Sequence, residues 1–266
     1  MKNTRRSLLQ LSAMSSLLAL PCLNLQAASA PRKLGLIFPP ADRVDPPEEG
    51  VAMYGDSITY LIEALGLETM TPEGYDAVQD RIRPAGERLA ERGAEAVILM
   101  GTSLSFYKGE AYNQQLTQLL RDATGGLPVT TMSTAVINGL KGVGAKRMAV
   151  ATAYNDEVND RLRTFLGEHG LDVLAIEGLG IEAVEDIFSV TQPQLIEFGS
   201  RVSASAPDAN ALLVSCGGLR TLEILEPLEQ RTGLPTISST PHAMYAANAL
   251  LGMDLRWPHY GQLMGM

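Results

Sequence analysis

Cysteine, histidine and tryptophan are scarce in this chain, whose 266 residues hold two, three and one of them. The histidines, His169, His242 and His259, are widely scattered, and no Cys-x-x-Cys pair occurs. A zinc site built by the protein needs such ligands at close spacing, so no metal centre is expected. No histidine stands in a recognisable catalytic context, which leaves a cysteine–histidine hydrolase unsupported. Positive charge is also in short supply, with 21 Lys and Arg against 30 Asp and Glu and a formal charge of −9. That balance argues against nucleic acid as a partner. The apolar run from Leu8 to Leu20 is too short to cross a bilayer, so no stable membrane span is expected.

That run sits in a segment with the layout of an export signal. Lys2, Arg5 and Arg6 precede it, and Gln26-Ala27-Ala28-Ser29-Ala30 offers small residues for cleavage. Pro31 would hinder cutting after Ala30, which places the cut between Ala27 and Ser29. Thr4-Arg5-Arg6-Ser7-Leu8-Leu9-Gln10 resembles a twin-arginine signal, so residues 1–30 predict an exported, periplasmic protein. Cys22 would leave with the signal. Cys216 then has no partner for an internal disulfide and remains a thiol even in an oxidising compartment. The whole chain has 45% hydrophobic and 19% charged residues, ample for a globular core.

Short apolar runs alternate with amphipathic stretches, the pattern of βα units around parallel sheets. Strands are expected at Leu34–Phe38, Ala96–Met100, Val129–Met132, Met148–Ala151, Val173–Ile176, Ala211–Ser215 and Thr236–Ser239. Helices are expected at Val78–Arg92, Ala111–Arg121, Asn155–Glu168, Thr191–Ser203 and Leu222–Arg231. The order of features repeats. Leu34–Phe38 is echoed by Met148–Ala151, Ala96-Val97-Ile98-Leu99 by Ala211-Leu212-Leu213-Val214, and Leu127-Pro128-Val129 by Leu234-Pro235-Thr236. The fold class predicted is therefore α/β, with two similar Rossmann-like halves, each on a parallel sheet, related by a pseudo-two-fold axis. Residues 31–140 with the C-terminal segment 241–266 make one half and residues 141–240 the other, with the active site in the cleft between them. Gly142-Val143-Gly144 lacks the third glycine of a dinucleotide fingerprint and reads as the loop between halves. Asp42 to Gly50, with four acids and two prolines, reads as a solvated loop in a position that would allow a lid.

Ligands of open α/β sheets bind beyond the carboxyl ends of the strands. The segments there are Pro39-Pro40, Gly101-Thr102-Ser103, Tyr154 and Cys216-Gly217-Gly218. Two readings of Cys216 compete: an inert core thiol, the common fate of a free cysteine, and a nucleophile or proton donor on a glycine turn that lets a ligand come close. The neighbours are equally open at this level. Thr102 and Ser103 could cap the next helix, Tyr154 could be a rim aromatic with a solvated hydroxyl, Val184 and Ile187 have core spacing, and Pro39-Pro40 could simply end a strand.

Taken together, Thr71-Pro72-Glu73-Gly74-Tyr75-Asp76-Ala77-Val78, Met100-Gly101-Thr102-Ser103-Leu104-Ser105-Phe106-Tyr107, Thr131-Met132-Ser133-Thr134-Ala135, Ala151-Thr152-Ala153-Tyr154 and Ser215-Cys216-Gly217-Gly218 carry a resemblance. From about Leu34 to about Tyr260 the chain resembles the arylmalonate decarboxylases, cofactor-free members of the aspartate/glutamate racemase superfamily. Racemases of that superfamily work with two cysteines, one on each wall; here Gly101 stands where the second would be. The resemblance implies loss of carbon dioxide from an α-substituted malonate, a small dicarboxylate, with no cofactor and no metal. It implies a dioxyanion hole from the Thr102, Ser103 and Tyr154 hydroxyls and backbone N–H groups near Cys216 and Gly217. It implies an apolar pocket of Pro39, Leu67, Met70, Tyr75, Leu104, Val184 and Ile187, and Cys216 as the thiol that protonates one face. Two alternatives stay open: a racemase or cis-trans isomerase of the same superfamily, which would need a second acid or base near Gly101, and a non-catalytic periplasmic binding protein, since two facing lobes behind an export signal also describe that class.

Overall fold

Eight short strands, each parallel to its neighbours, form two sheets that repeat one another in the computed structural model. The structure describes residues 30–40 and 45–266; the export signal expected over residues 1–30 falls, apart from Ala30, outside them. The first sheet contains β1 (Arg32–Pro40), β2 (Ile58–Leu67), β3 (Ala96–Leu99) and β4 (Val129–Thr131), in the order β2-β1-β3-β4. The second contains β5 (Arg147–Thr152), β6 (Asp172–Gly178), β7 (Ala211–Ser215) and β8 (Thr236–Ser238), in the order β6-β5-β7-β8. Each strand of the second sheet takes the place of the one four earlier, so the repeat visible in the sequence is a repeat of topology. Strands β3 and β7 are buried along their whole length, which is why they read as unbroken apolar runs.

The helices are α1 (Glu48–Tyr54), α2 (Pro72–Val78), α3 (Ile82–Glu91), α4 (Thr102–Phe106), α5 (Glu110–Ala123), α6 (Met132–Gly142), α7 (Asp156–Glu168), α8 (Gln192–Ala204), α9 (Leu225–Thr232) and α10 (Ser239–Leu251). Their apolar stripes make the contacts with the sheets. In α3, Ile82, Ala85, Gly86 and Leu89 are buried, the spacing of one helical face. The last helix, α10, follows β8 in the chain but packs against α1, α6 and β3 of the first half. Among the described residues no helix is long and apolar enough to cross a membrane.

The structure departs from the expected elements at several points. Strand β2 has no counterpart among the expected strands, because it lies at a sheet edge with most positions half-buried and so lacks a clean alternation. Strands β3, β4 and β8 end one residue early, at Leu99, Thr131 and Ser238. At β4 the Thr131 hydroxyl accepts the Thr134 N–H at 3.1 Å and starts α6 at Met132. Finally, the acidic stretch before Gly50 is no solvated loop over its second part. Residues 48–54 are helical, and Glu49 is buried, its Oε1 accepting the Thr221 and Leu222 N–H groups at 2.6 and 2.9 Å.

Candidate active site

Strands β3 and β7 occupy matching positions in the two sheets, so the loops after them face each other. Gly101, one residue past the end of β3, has φ +103°, a conformation a side chain resists, and a Cβ there would collide with the Pro39 ring. Across the cleft, a Cβ on Gly217 would stand 3.8 Å from the Gly101 nitrogen and 3.0 Å from Met132 Sδ. Glycine at 101 makes room for the Pro39 ring, and glycine at 217 for the Met132 thioether. Cys216, next to Gly217, is buried, its Sγ 3.9 Å from Met70 Sδ. Burial pushes its thiol up to about 11, while the Gly218 amide, the Tyr154 hydroxyl and the Leu219 amide pull the other way. At neutral pH it is an uncharged thiol.

Thr102 and Ser103 open α4, but Gly101 holds the cap position and neither hydroxyl caps the helix. Instead the Thr102 hydroxyl donates to Ser239 Oγ at 2.7 Å, and Ser239 Oγ also accepts the Cys216 N–H at 3.2 Å. That backbone donor is thus already engaged. Tyr154 is only 1% exposed, which rules out a solvated rim hydroxyl. Its oxygen lies 3.2 Å from Ser215 Oγ and faces Thr102 and Cys216, and burial holds it neutral far above the usual tyrosine range. The buried Tyr75 hydroxyl faces Ser103 without a closed hydrogen bond.

A cavity of about 50 Å³ opens on these groups, lined by Gly101, Thr102, Ser103, Cys216, Gly217 and Gly218 on its polar side. Pro39, Leu67, Met70, Val184 and Ile187 line its apolar side together with Phe188. Tyr154, Tyr75 and Leu104 stand behind the wall, fully buried. The apolar wall joins both halves. Met70 N–H donates to the Glu182 carbonyl at 2.8 Å and Val184 N–H to that of Glu68 at 3.2 Å, flanking an isolated bridge between Thr69 and Ala183. Among the described residues no charged side chain lines this cavity. A second, polar cavity of about 210 Å³ shares Phe188, Gly217 and Gly218 with it and adds Asp45, Glu48, Glu49 and Arg220. Among the described residues no group of three or more His, Cys, Asp or Glu is placed to hold a metal ion.

Met132, Ser239, Thr240 and Glu49 join the site without having been expected there. The first three had a signal: they follow β4 and β8, whose echoing Leu-Pro sequences mark equivalent strand ends. Glu49 had none, since its contact lies 172 residues away.

Known proteins share this arrangement. The family model described as arylmalonate decarboxylase matches residues 34–264. An arylmalonate decarboxylase of Bordetella bronchiseptica is 45% identical over 240 residues, covering 90% of this chain and 98% of that protein. The structure of a liganded arylmalonate decarboxylase carrying glycine-to-cysteine and cysteine-to-serine changes superimposes with a TM-score of 0.83 at 42% identity, covering 88% of this chain and 98% of that one. A maleate isomerase of Pseudomonas putida S16 shares the fold, with a TM-score of 0.80 at 19% identity over 88% of this chain and 98% of that one. The chain belongs to the arylmalonate decarboxylase family and is a carboxy-lyase.

Proposed function

We propose that the protein converts α-aryl and other α-substituted malonates to 2-substituted carboxylic acids, with Cys216 as the proton donor. The observation that carries this reading is a neutral buried thiol facing a cavity whose polar lining consists of uncharged donors. As the bond to one carboxylate breaks, its electron pair passes to the remaining carboxylate as an enediolate and carbon dioxide leaves. The Ser103 hydroxyl and the Gly217 backbone are neutral donors for the two oxygens, joined by the Thr102 hydroxyl once it turns from Ser239 Oγ and backed by the Tyr154 hydroxyl behind the wall; such donors stabilise developing charge best where water is excluded. The departing carboxylate faces Leu67, Met70, Val184 and Ile187, where poor solvation favours neutral carbon dioxide. The Cys216 S–H then breaks, its proton goes to the α-carbon on one face, and solvent returns a proton to the thiolate, so each turnover consumes one proton. One donor on one wall gives a single enantiomer. Gly101 offers the opposite face no acid or base, which weighs against racemisation or isomerisation. Export to the periplasm remains part of the proposal and rests on residues 1–30; fractionation of the producing cell tests it.

The test is carbon dioxide release from phenylmalonate and 2-methyl-2-phenylmalonate by metal-free protein, with Cys216→Ala beside it. Release by the wild type that vanishes in the variant is the expected result. Binding of the malonate without turnover in the wild type, unchanged in the variant, would instead favour a binding protein.

A further inference from the structure

The Cys216-Gly217-Gly218 turn is gripped from outside by the two residues that follow β8. Ser239 Oγ takes the Cys216 N–H, and the Thr240 hydroxyl, 2% exposed, donates to the Gly217 carbonyl oxygen at 2.9 Å. No peptide bond among the described residues is cis. A trans peptide carries its C=O and its N–H on opposite sides, so a hydroxyl that anchors the Gly217 carbonyl on one side turns the Gly218 N–H to the other. The sulfur of Cys216 lies on that side, faced by the Gly218 and Leu219 amides and the Tyr154 hydroxyl. Gly217 adds no side chain that would hinder rotation of this peptide. Its orientation therefore depends on the Thr240 bond.

We infer that Thr240 is a positioning residue: by holding the Gly217 carbonyl it aims the Gly218 N–H at Cys216 and steadies the thiolate that proton delivery leaves behind. The consequence for turnover rests on the proposed decarboxylation; the aiming itself does not. Among the described residues no cation faces the sulfur to do this work in its place. The titratable groups facing it are the Tyr154 and Tyr75 phenols, both held neutral by burial. On α10, His242 is drawn down to about 4 and is uncharged. Further along the loop Glu49 takes the Thr221 and Leu222 amides, and Arg220 pairs with Glu48 on the exposed side.

The experiment measures alkylation of the full chain by iodoacetamide at fixed pH, read by mass spectrometry on the peptide containing Cys216, for wild type, Thr240→Val and Thr240→Ser. Loss of one hydrogen bond to a charged sulfur should slow alkylation by about tenfold in Thr240→Val, while Thr240→Ser keeps the wild-type rate. Turnover of phenylmalonate should fall by a similar factor in kcat with KM within about twofold, since the thiolate forms only along the reaction. A purely structural loosening would expose the thiol and speed alkylation, so an unchanged or faster rate in folded Thr240→Val overturns the inference. Should Thr240→Val not fold, Thr240→Ala carries the same test. Slower alkylation in a protein that releases no carbon dioxide from any malonate would uphold the role of Thr240 and overturn the decarboxylase reading instead.

Discussion

Thr102 and Ser239 are joined by a hydrogen bond of 2.7 Å, although 137 residues separate them and each follows a different sheet. Because Ser239 also takes the Cys216 N–H, one small hydroxyl ties the oxygen of the first wall to the backbone of the second. Ser239→Ala would leave both groups buried without that partner. The expected cost is about 1–2 kcal/mol in urea unfolding and about tenfold in kcat/KM for phenylmalonate. A variant as stable and as active as the wild type would show the bridge to be incidental.

Glu49 gives the fold a pH dependence of defined sign. Burial, reinforced by the charge of Glu223, pushes its carboxyl from 4.5 up to about 7 against the pull of the Thr221 and Leu222 amides. A carboxyl with a raised folded-state value binds its proton more tightly in the folded protein. Its contribution is fully present below about 4.5 and is lost as pH rises through about 7, a difference of up to about 3 kcal/mol. Buried His242, drawn down to about 4, acts oppositely and lowers stability as pH falls from about 6.5. Thermal unfolding of wild type and Glu49→Gln at pH 5 and pH 8 separates the two, because the variant keeps only the His242 effect and should gain stability relative to the wild type on going from pH 5 to pH 8. Equal pH dependence in both proteins would count against the assignment.

Ile187 sets the width of the apolar wall. Its side chain is 3% exposed, and its Cγ2 would lie 2.8 Å from a Cβ on Gly218. Ile187→Ala should enlarge the cavity at a cost of about 2–4 kcal/mol in stability. The ratio of kcat/KM for 2-ethyl-2-phenylmalonate over 2-methyl-2-phenylmalonate should rise severalfold. A constant ratio would mean that substituents do not reach this wall.

Gly101 and Gly144 make a matched pair for separating backbone strain from crowding. Both have positive φ, +103° and +70°, but a Cβ on Gly144 meets nothing within 4 Å, whereas one on Gly101 meets the Pro39 ring. Gly144→Ala should cost about 1 kcal/mol. Gly101→Ala should cost more, lower the melting temperature further and cut turnover, because relief requires Pro39 to move into the cavity it lines. Equal losses in the two variants would leave Pro39 without a role in holding the wall.

The amino-acid sequence by itself determined the α/β class, the repeat and the loops that line the cavity. Seven of the strands are short apolar runs bounded by turn residues, and Gly101-Thr102-Ser103 and Cys216-Gly217-Gly218 follow within two residues of the ends of two of them. These are local properties, decided by a residue and its near neighbours along the chain. Tertiary structure alone decided which segments meet. Edge strand β2 depends on pairing with β1 rather than on its own pattern. Met70 and Val184 come together through a bridge between the two halves. Ser239, Thr240 and Glu49 reach the cysteine loop from elements far away in sequence. Serine, threonine and glutamate are ordinary surface residues by type, and only burial against a distant backbone donor or acceptor turns them into parts of a site.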